Sequence, residues 1–521
     1  MASQHEQAVG IDLGTTYSVI AHLDDTGRPV SIVNAEGDLT TPSTVLFDGA
    51  TIVVGKEALK AMATEAAHVA DCAKRDIGER AYRKVLDGNQ YPPEAIQAWV
   101  LQKLRSDAAQ DIGPFSKCVI TVPAYFDETR RKATQDAGYM AGLEVLDIIN
   151  EPTAAAVAFG FQQGYLSETG EVAKRQRILV YDLGGGTFDV TIMELDKRNF
   201  VTLATDGDVQ LGGRDWDQRL VDLVADEFVA LHGTDPRDDA NAAGRLWREC
   251  EEAKRTLTAR AKANVSFDYK GLTLKTEITR ERFEDLTFDL LDRTRFTTRQ
   301  TLQATGLSWD AIDRVLLVGG ATRMPMIRQM LRELIGQEPD ASVSADEAVA
   351  HGAALRAGIL LQQSRKEQVT FRIKNVNSHS LGVVATDRTT GETRNAKLIP
   401  RNTPLPVSAR RVFRTQKENQ KNILVRIVEG ESANAEHCSQ LGKCVVRDLP
   451  PNLPAQTPIE VRFKYADNGR LEISVRVEGT DAELSHELAR ENSLSPEQLD
   501  IWRAYIAGSL NSTHHAPRDV C

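Results

Sequence analysis

The chain has 521 residues, and 63 Lys and Arg against 74 Asp and Glu give a formal net charge of −11. With 41% hydrophobic and 26% charged residues, it carries enough apolar mass to exclude a largely disordered chain. The acidic balance excludes a general nucleic-acid binder, which needs a basic footprint, but leaves room for one small phosphate ligand held by backbone N–H groups.

The length predicts about three or four compact units. Met1–Gln7 lacks the basic and apolar regions of a secretory signal, and no apolar run approaches the ~20 residues that cross a bilayer. Cys72, Cys118, Cys250, Cys438, Cys444 and Cys521 show no metal-binding spacing. Reduced thiols in a cytoplasmic protein are expected.

In chain order, the first signal is an apolar strand running through Asp12-Leu-Gly14-Thr15-Thr16 into a second strand, Tyr17 to Ile20. Tyr91-Pro-Pro-Glu opens a helix, with Ile96, Trp99, Val100, Leu101 and Leu104 at helical spacing. Cys118–Val122 reads as a strand ended by Pro123, residues 127–142 as a helix, and Val145–Ile149 as a further strand. Asp182-Leu-Gly184-Gly-Gly186-Thr187 then repeats the first turn, again between β-rich flanks. Two turns sharing Asp-Leu-Gly with a Thr close behind predict an internal duplication, with two α/β lobes facing each other.

Residues 217–258 read as mostly helical. Arg314–Val318 is a strand that breaks at Gly319-Gly320, and a helix follows from Pro325. A polar run over residues 363–368 marks the linker. Beyond it, Ile459, Val461, Phe463 and Tyr465 alternate with polar residues, Asn468-Gly469 turns the chain, and Leu471, Ile473, Val475 and Val477 alternate back. Ser495-Pro-Glu-Gln498 is a capping-box helix start. The expected divisions are 1–362 (two-lobed α/β), 363–368 (linker), 369–480 (β-sandwich-like) and 481–521 (short helix and tail).

An Asp at a strand end followed by Gly and Thr suits a metal–phosphate: glycines let N–H groups approach phosphate oxygens, and a carboxylate holds Mg²⁺ through retained waters. Neither turn is a P-loop, and no strand leads into G-x-G-x-x-G.

The motifs together resemble the seventy-kilodalton heat-shock (DnaK-type) chaperones of the actin-like ATPase superfamily. The likeness rests on Ile11–Val19, Val122–Phe126, Ile149-Asn-Glu-Pro-Thr153, Tyr181–Val190, Leu211-Gly-Gly213, Cys250-Glu-x-Ala-Lys-Arg-Thr-Leu257 and Val318-Gly-Gly-Ala-Thr-Arg323. Ser380-Leu-Gly382 and Leu398–Thr403 extend it more weakly into the β region. The resemblance implies an ATPase that binds ATP and Mg²⁺ between its lobes and binds unfolded or hydrophobic peptide segments.

Carried over by position, Thr15, Thr16 and Tyr17 would line the first phosphate turn, and Gly184, Gly185, Gly186 and Thr187 the second. Asp12, Asp182 and Asp189 would hold Mg²⁺, with Glu151 nearby. Lys74 would stand at the transferred phosphoryl, and Thr187 would orient the attacking water. Gly213, Glu251, Lys254, Arg255, Thr258, Gly319, Gly320, Arg323 and Asp346 would contact base and ribose. Val383, Phe413 and Ile423 would form the peptide pocket, and Pro123 and Arg131 would link the domains. A J-domain co-chaperone, a nucleotide exchange factor and a monomeric state are implied as well. No membrane or nucleic-acid partner is expected.

The chain also departs from the family pattern. The stretch between Lys74 and Tyr91 is short, and Arg214, Thr258 and Ala321 replace the usual Glu, Ser and Ser. The linker is polar, so docking it onto the ATPase would gain little, and the lid is nearly absent. Two other readings stay open: a small-molecule kinase on the same fold, and a nucleotide-binding scaffold without turnover.

Overall fold

The computed structural model describes residues 7–49, 51–165, 174–196, 199–366, 371–386, 391–447, 449–466, 471–480, 483–487 and 493–509. The expected turn at Asn468-Gly469, the end of the expected linker, Cys521 and the tail lie outside them.

Each lobe is built on the same motif. In the first, Ala8–Asp12 pairs antiparallel with Tyr17–Leu23 and parallel with Lys117–Val122, which runs parallel to Glu144–Asn150. In the second, Gln176–Leu183 pairs antiparallel with Phe188–Asp196 and parallel with Arg314–Val318. Val9, Ile11, Val119, Ile120, Leu179 and Val180 are fully buried, as expected of parallel strands covered on both faces.

The lobes join through Glu151–Gln162 and Ala348–Ser364, two helices buried on nearly every side. Their backbones touch: a Cβ at Gly352 would lie 1.8 Å from the Ala154 carbonyl oxygen. Neither helix shows an apolar stripe, because a helix wrapped in protein needs none.

Residues from Leu381 onward form two facing four-stranded antiparallel sheets. Leu381, Ile427, Phe463, Ile473 and Val475 fill the space between them without exposure. The pairing of Pro458–Tyr465 with Leu471–Val477 follows the alternation seen in the sequence.

The linker region differs from expectation. The helix continues through Ser364, two residues into the polar run. Arg372–Lys374 then joins the second lobe's sheet, parallel to Asn199–Asp208. Phe371 supplies the apolar anchor, buried with its ring 5.5 Å from that of Phe200. Docking therefore falls just downstream of the polar run, and it draws on one aromatic side chain rather than an apolar strand.

The β module also sits on the first lobe. The Tyr465 hydroxyl donates to Glu128 Oε1, the Glu128 N–H donates to Glu429 Oε2 at 3.3 Å, and the His379 and Tyr125 rings lie 4.2 Å apart. Arg401 pairs with Asp206 of the second lobe at 3.0 Å.

Ser495 and Gln498 complete the expected capping box, opening Pro496–Ser509. This helix packs on Pro93–Ile112 and Glu128–Met140. Trp502 enters an aromatic cluster with Tyr91 and Trp99 at 6.0 and 6.5 Å, and Ile506 is fully buried.

Trp502→Ala should release this helix. A buried Trp truncated to Ala costs roughly 3 kcal/mol, so amide protection across Pro496–Ser509 should fall about a hundredfold. Unchanged exchange would contradict the docked position. A second prediction concerns Glu429, whose pKa is raised well above the usual carboxyl range by burial, then by Asp127 and Glu128. A raised carboxyl favours the docked state at low pH, and that contribution is lost as pH rises through the raised value. Small-angle scattering should show the wild type expanding as pH rises above the ordinary carboxyl range while Glu429→Gln stays compact. Equal expansion of both would contradict it.

Candidate nucleotide cleft

The two Asp-Leu-Gly turns face each other across the junction of the lobes. In the first, the Gly14 N–H donates to Ser18 Oγ at 3.1 Å and Ser43 Oγ donates to the Gly14 carbonyl at 2.8 Å. In the second, the Gly184 N–H donates to the Thr187 carbonyl at 3.0 Å. The N–H groups of Gly213 and Arg214 bond the Gly184 and Gly185 carbonyls, each at 2.9 Å, so the start of Gly213–His232 is tied to that turn.

The turns are in contact. A Cβ at Gly185 would lie 2.0 Å from Thr16 Oγ1, and one at Gly186 would lie 2.4 Å from Thr15 Cγ2. Only glycine allows this approach.

Above the turns lies a cavity of about 580 Å³. Of the expected residues, Asp12, Thr15, Thr16, Tyr17, Lys74, Glu151, Asp182, Gly184, Gly185 and Thr187 line its inner part. Gly213, Glu251, Lys254, Arg255, Thr258, Gly319, Gly320, Arg323 and Asp346 line the rest. Lys74 Nζ meets Glu151 Oε1 at 2.5 Å, both buried. Arg255 reaches from the second lobe to Glu251 Oε1 at 2.7 Å and to the Tyr17 hydroxyl of the first at 3.0 Å. Arg323 pairs with Asp346.

Over residues 8–505 the chain matches the family model described as Hsp70 protein. It is 39% identical to the chaperone protein DnaK of Halobacterium salinarum over 506 residues, covering 95% of this chain and 77% of that one. Against DnaK of Thermotoga maritima the identity is 39% over 511 residues, covering 96% and 83%. The chain belongs to the Hsp70 family.

Two residues do not line the cavity of this Hsp70. Gly186 is packed against Thr15. Asp189 lies behind the turn, opposite Asp182 in the hairpin, and its carboxylate accepts the Ala124 and Tyr125 N–H groups, each at 3.1 Å. Val383 and Ile423 are buried in the β module's core, and Phe413 packs at its margin half-buried. Pro123 and Arg131 flank the segment that meets the β module. Arg131 donates to the Ala124 and Phe126 carbonyls and to Asn150.

The electrostatics call for a cation. Burial, then Glu151, pushes the Asp12 carboxyl up to about 7 and Asp189 up to about 8; burial and the same neighbour drive Asp182 well above its ordinary range. Three buried carboxyl groups, Glu151, Asp182 and Asp189, and the half-buried Asp12 share one buried ammonium, Lys74. Thr16 Oγ1 is buried with no partner in the protein. Hard oxygen donors fit Mg²⁺, and among the described residues no three are spaced to enclose an ion directly, so water would complete its shell.

Sequence reasoning flagged Arg214 as a departure but missed its role. Its guanidinium pairs with Asp71 of the first lobe at 2.6 Å and lies 4.2 Å from the Trp247 ring. Arg75 and Asp215 make a second bridge between the lobes at 2.5 Å. The basic residue in place of the usual acid was the signal: a charge reversed on one lobe needs a matching acid on the other.

A cation that binds among proton-retaining carboxyl groups must displace those protons. Affinity for Mg²⁺–ATP, measured by calorimetry, should therefore rise from about pH 6 to about pH 8. Asp182→Asn should weaken Mg²⁺-dependent binding about tenfold or more. A flat pH profile and an indifferent variant would relocate the ion.

Proposed function

We propose that this chain is an ATP-dependent chaperone that hydrolyses ATP between its lobes and binds extended hydrophobic segments in its β module. The observation that carries this is the pair of interlocked glycine turns beneath a cavity that holds one buried cation, Lys74, among carboxylates. Thr15 and Thr16 present N–H and hydroxyl donors to the phosphates, Gly185 presents its N–H, and Gly184 shapes the turn through its bond to the Thr187 carbonyl. Asp12 and Asp182 would hold the metal through water, while Asp189 fixes the Ala124–Tyr125 backbone behind them. When bound, Mg²⁺ supplies neutralisation of phosphate charge.

Lys74, positioned by Glu151, offsets charge developing on the transferred phosphoryl, where electrostatics and positioning supply most of the catalysis. Thr187 orients the attacking water. Glu251, Lys254, Arg255 and Thr258 face Gly319, Gly320, Arg323 and Asp346 across the space for base and ribose. The stems of Lys254 and Arg255 suit stacking on a planar base.

The β module takes a peptide beside Phe413, Val383 and Ile423. The docked strand Arg372–Lys374 and the Glu128–Glu429 contact give nucleotide state a physical route to it. The helix that follows it among the described residues, Pro496–Ser509, lies on the first lobe. A J-domain co-chaperone, a nucleotide exchange factor, a monomeric state and a cytoplasmic address belong to the same reading. Among the described residues no helix is long and apolar enough to cross a membrane. A kinase leaves the β module without a purpose, and a scaffold leaves Lys74 without one.

Lys74→Ala should cut steady-state hydrolysis at least about tenfold while ATP affinity stays within about twofold. Unchanged turnover would remove Lys74 from the mechanism.

A further inference from the structure

The β module carries the opposite charge from the chain around it. Residues 369–480 hold 18 Lys and Arg against 11 Asp and Glu, a net of +7 in a chain of net −11. The excess gathers on one strand and its loop. From Val407 to Val428 there are six basic residues and one carboxylate, Glu418.

Val407–Arg414 is the outer strand of its sheet, paired among the described residues with Pro458–Tyr465 alone. Its other edge offers backbone groups to an extended chain. Val412 is 51% exposed there, and the neighbouring Phe413 is half-buried. Arg411 lies over the Phe413 ring at 6.0 Å, its Nη1 donating to the Lys397 carbonyl at 3.3 Å. Arg414 Nη1 donates to the Gln456 carbonyl at 3.0 Å. Both guanidinium groups thus hydrogen-bond only to backbone carbonyls, and among the described residues neither has a carboxylate partner. The following loop adds Lys417 and Lys421, both exposed and outside any ion pair among the described residues. Gln416 in that loop reaches Thr386 Oγ1 at 3.4 Å, so the basic loop is tied to the end of Leu381–Thr386, the strand that carries Val383.

We infer that the peptides this module takes are hydrophobic segments flanked by Asp or Glu. The inference rests on the peptide-binding reading above and specifies its substrate class. An apolar centre pairs beside Val412 and Phe413, and acidic flanks meet Arg411, Arg414, Lys417 and Lys421, which form no ion pair among the described residues. Lysine-flanked segments of the same apolar content are repelled.

The test uses the full chain and three fluorescein-labelled peptides with one shared Leu-rich centre and Asp, Ser or Lys flanks. Fluorescence anisotropy at low salt should rank them Asp, Ser, Lys, with about tenfold between the extremes. The gap should close in roughly 0.5 M salt, where exposed charges are screened. Arg414→Glu combined with Lys421→Glu should reverse the order. Equal affinities at low salt would overturn the charge preference while leaving peptide binding intact. Failure of all three peptides to bind would overturn both.

Discussion

Everything in the cleft depends on how closely two backbone turns approach. Gly185 lies against Thr16 and Gly186 against Thr15, with no room for a Cβ on either glycine. Each turn closes its own lobe's hairpin, so contact between turns fixes the lobes relative to each other. It also brings Asp12 and Asp182, the last acidic groups before each turn, to one buried place with Lys74 and Glu151. Carboxyl groups drawn together in this way are unfavourable by themselves, and burial with mutual repulsion raises those of Asp12, Asp182 and Asp189. Such a site gains most when a multivalent cation and its phosphates arrive, which ties ligand binding to the closed arrangement of the lobes.

The rest of the chain is arranged around that closure. Asp71–Arg214 and Arg75–Asp215 bridge the lobes beside the cavity, so Arg214 helps to hold one lobe on the other. The second lobe's sheet takes Arg372–Lys374 as its edge strand, and the first lobe receives both the β module and Pro496–Ser509. With that helix held on the ATPase by Trp502 and Ile506, the β module's exposed strand stays open. A basic module on an acidic chain then selects its peptides partly by charge.

Much of this was legible in the sequence where a local rule applied. The twin turns announced the duplication, Arg314–Val318 emerged with the bounds its apolar run implied, and Ser495 and Gln498 formed the capping box their spacing required. Nineteen of the expected cleft residues line one cavity. The failures share a cause, which is that the deciding partner is distant in sequence. Ala348–Ser364 has no apolar stripe because it is enclosed on all sides. Phe371 marks the docking strand only once Phe200 is known to lie beside it. Asp189 matches the metal-binding pattern, yet Ala124 and Tyr125 claim its oxygens.

The central claim is that one nucleotide is gripped by both turns at once. A crystal structure with Mg²⁺ and a non-hydrolysable ATP analogue tests it most directly. The phosphates should lie between Thr15–Thr16 and Gly184–Gly185, with Lys74 at the terminal phosphoryl and the ion between Asp12 and Asp182. A nucleotide bound to one turn alone, or lodged outside the cleft, would contradict the account.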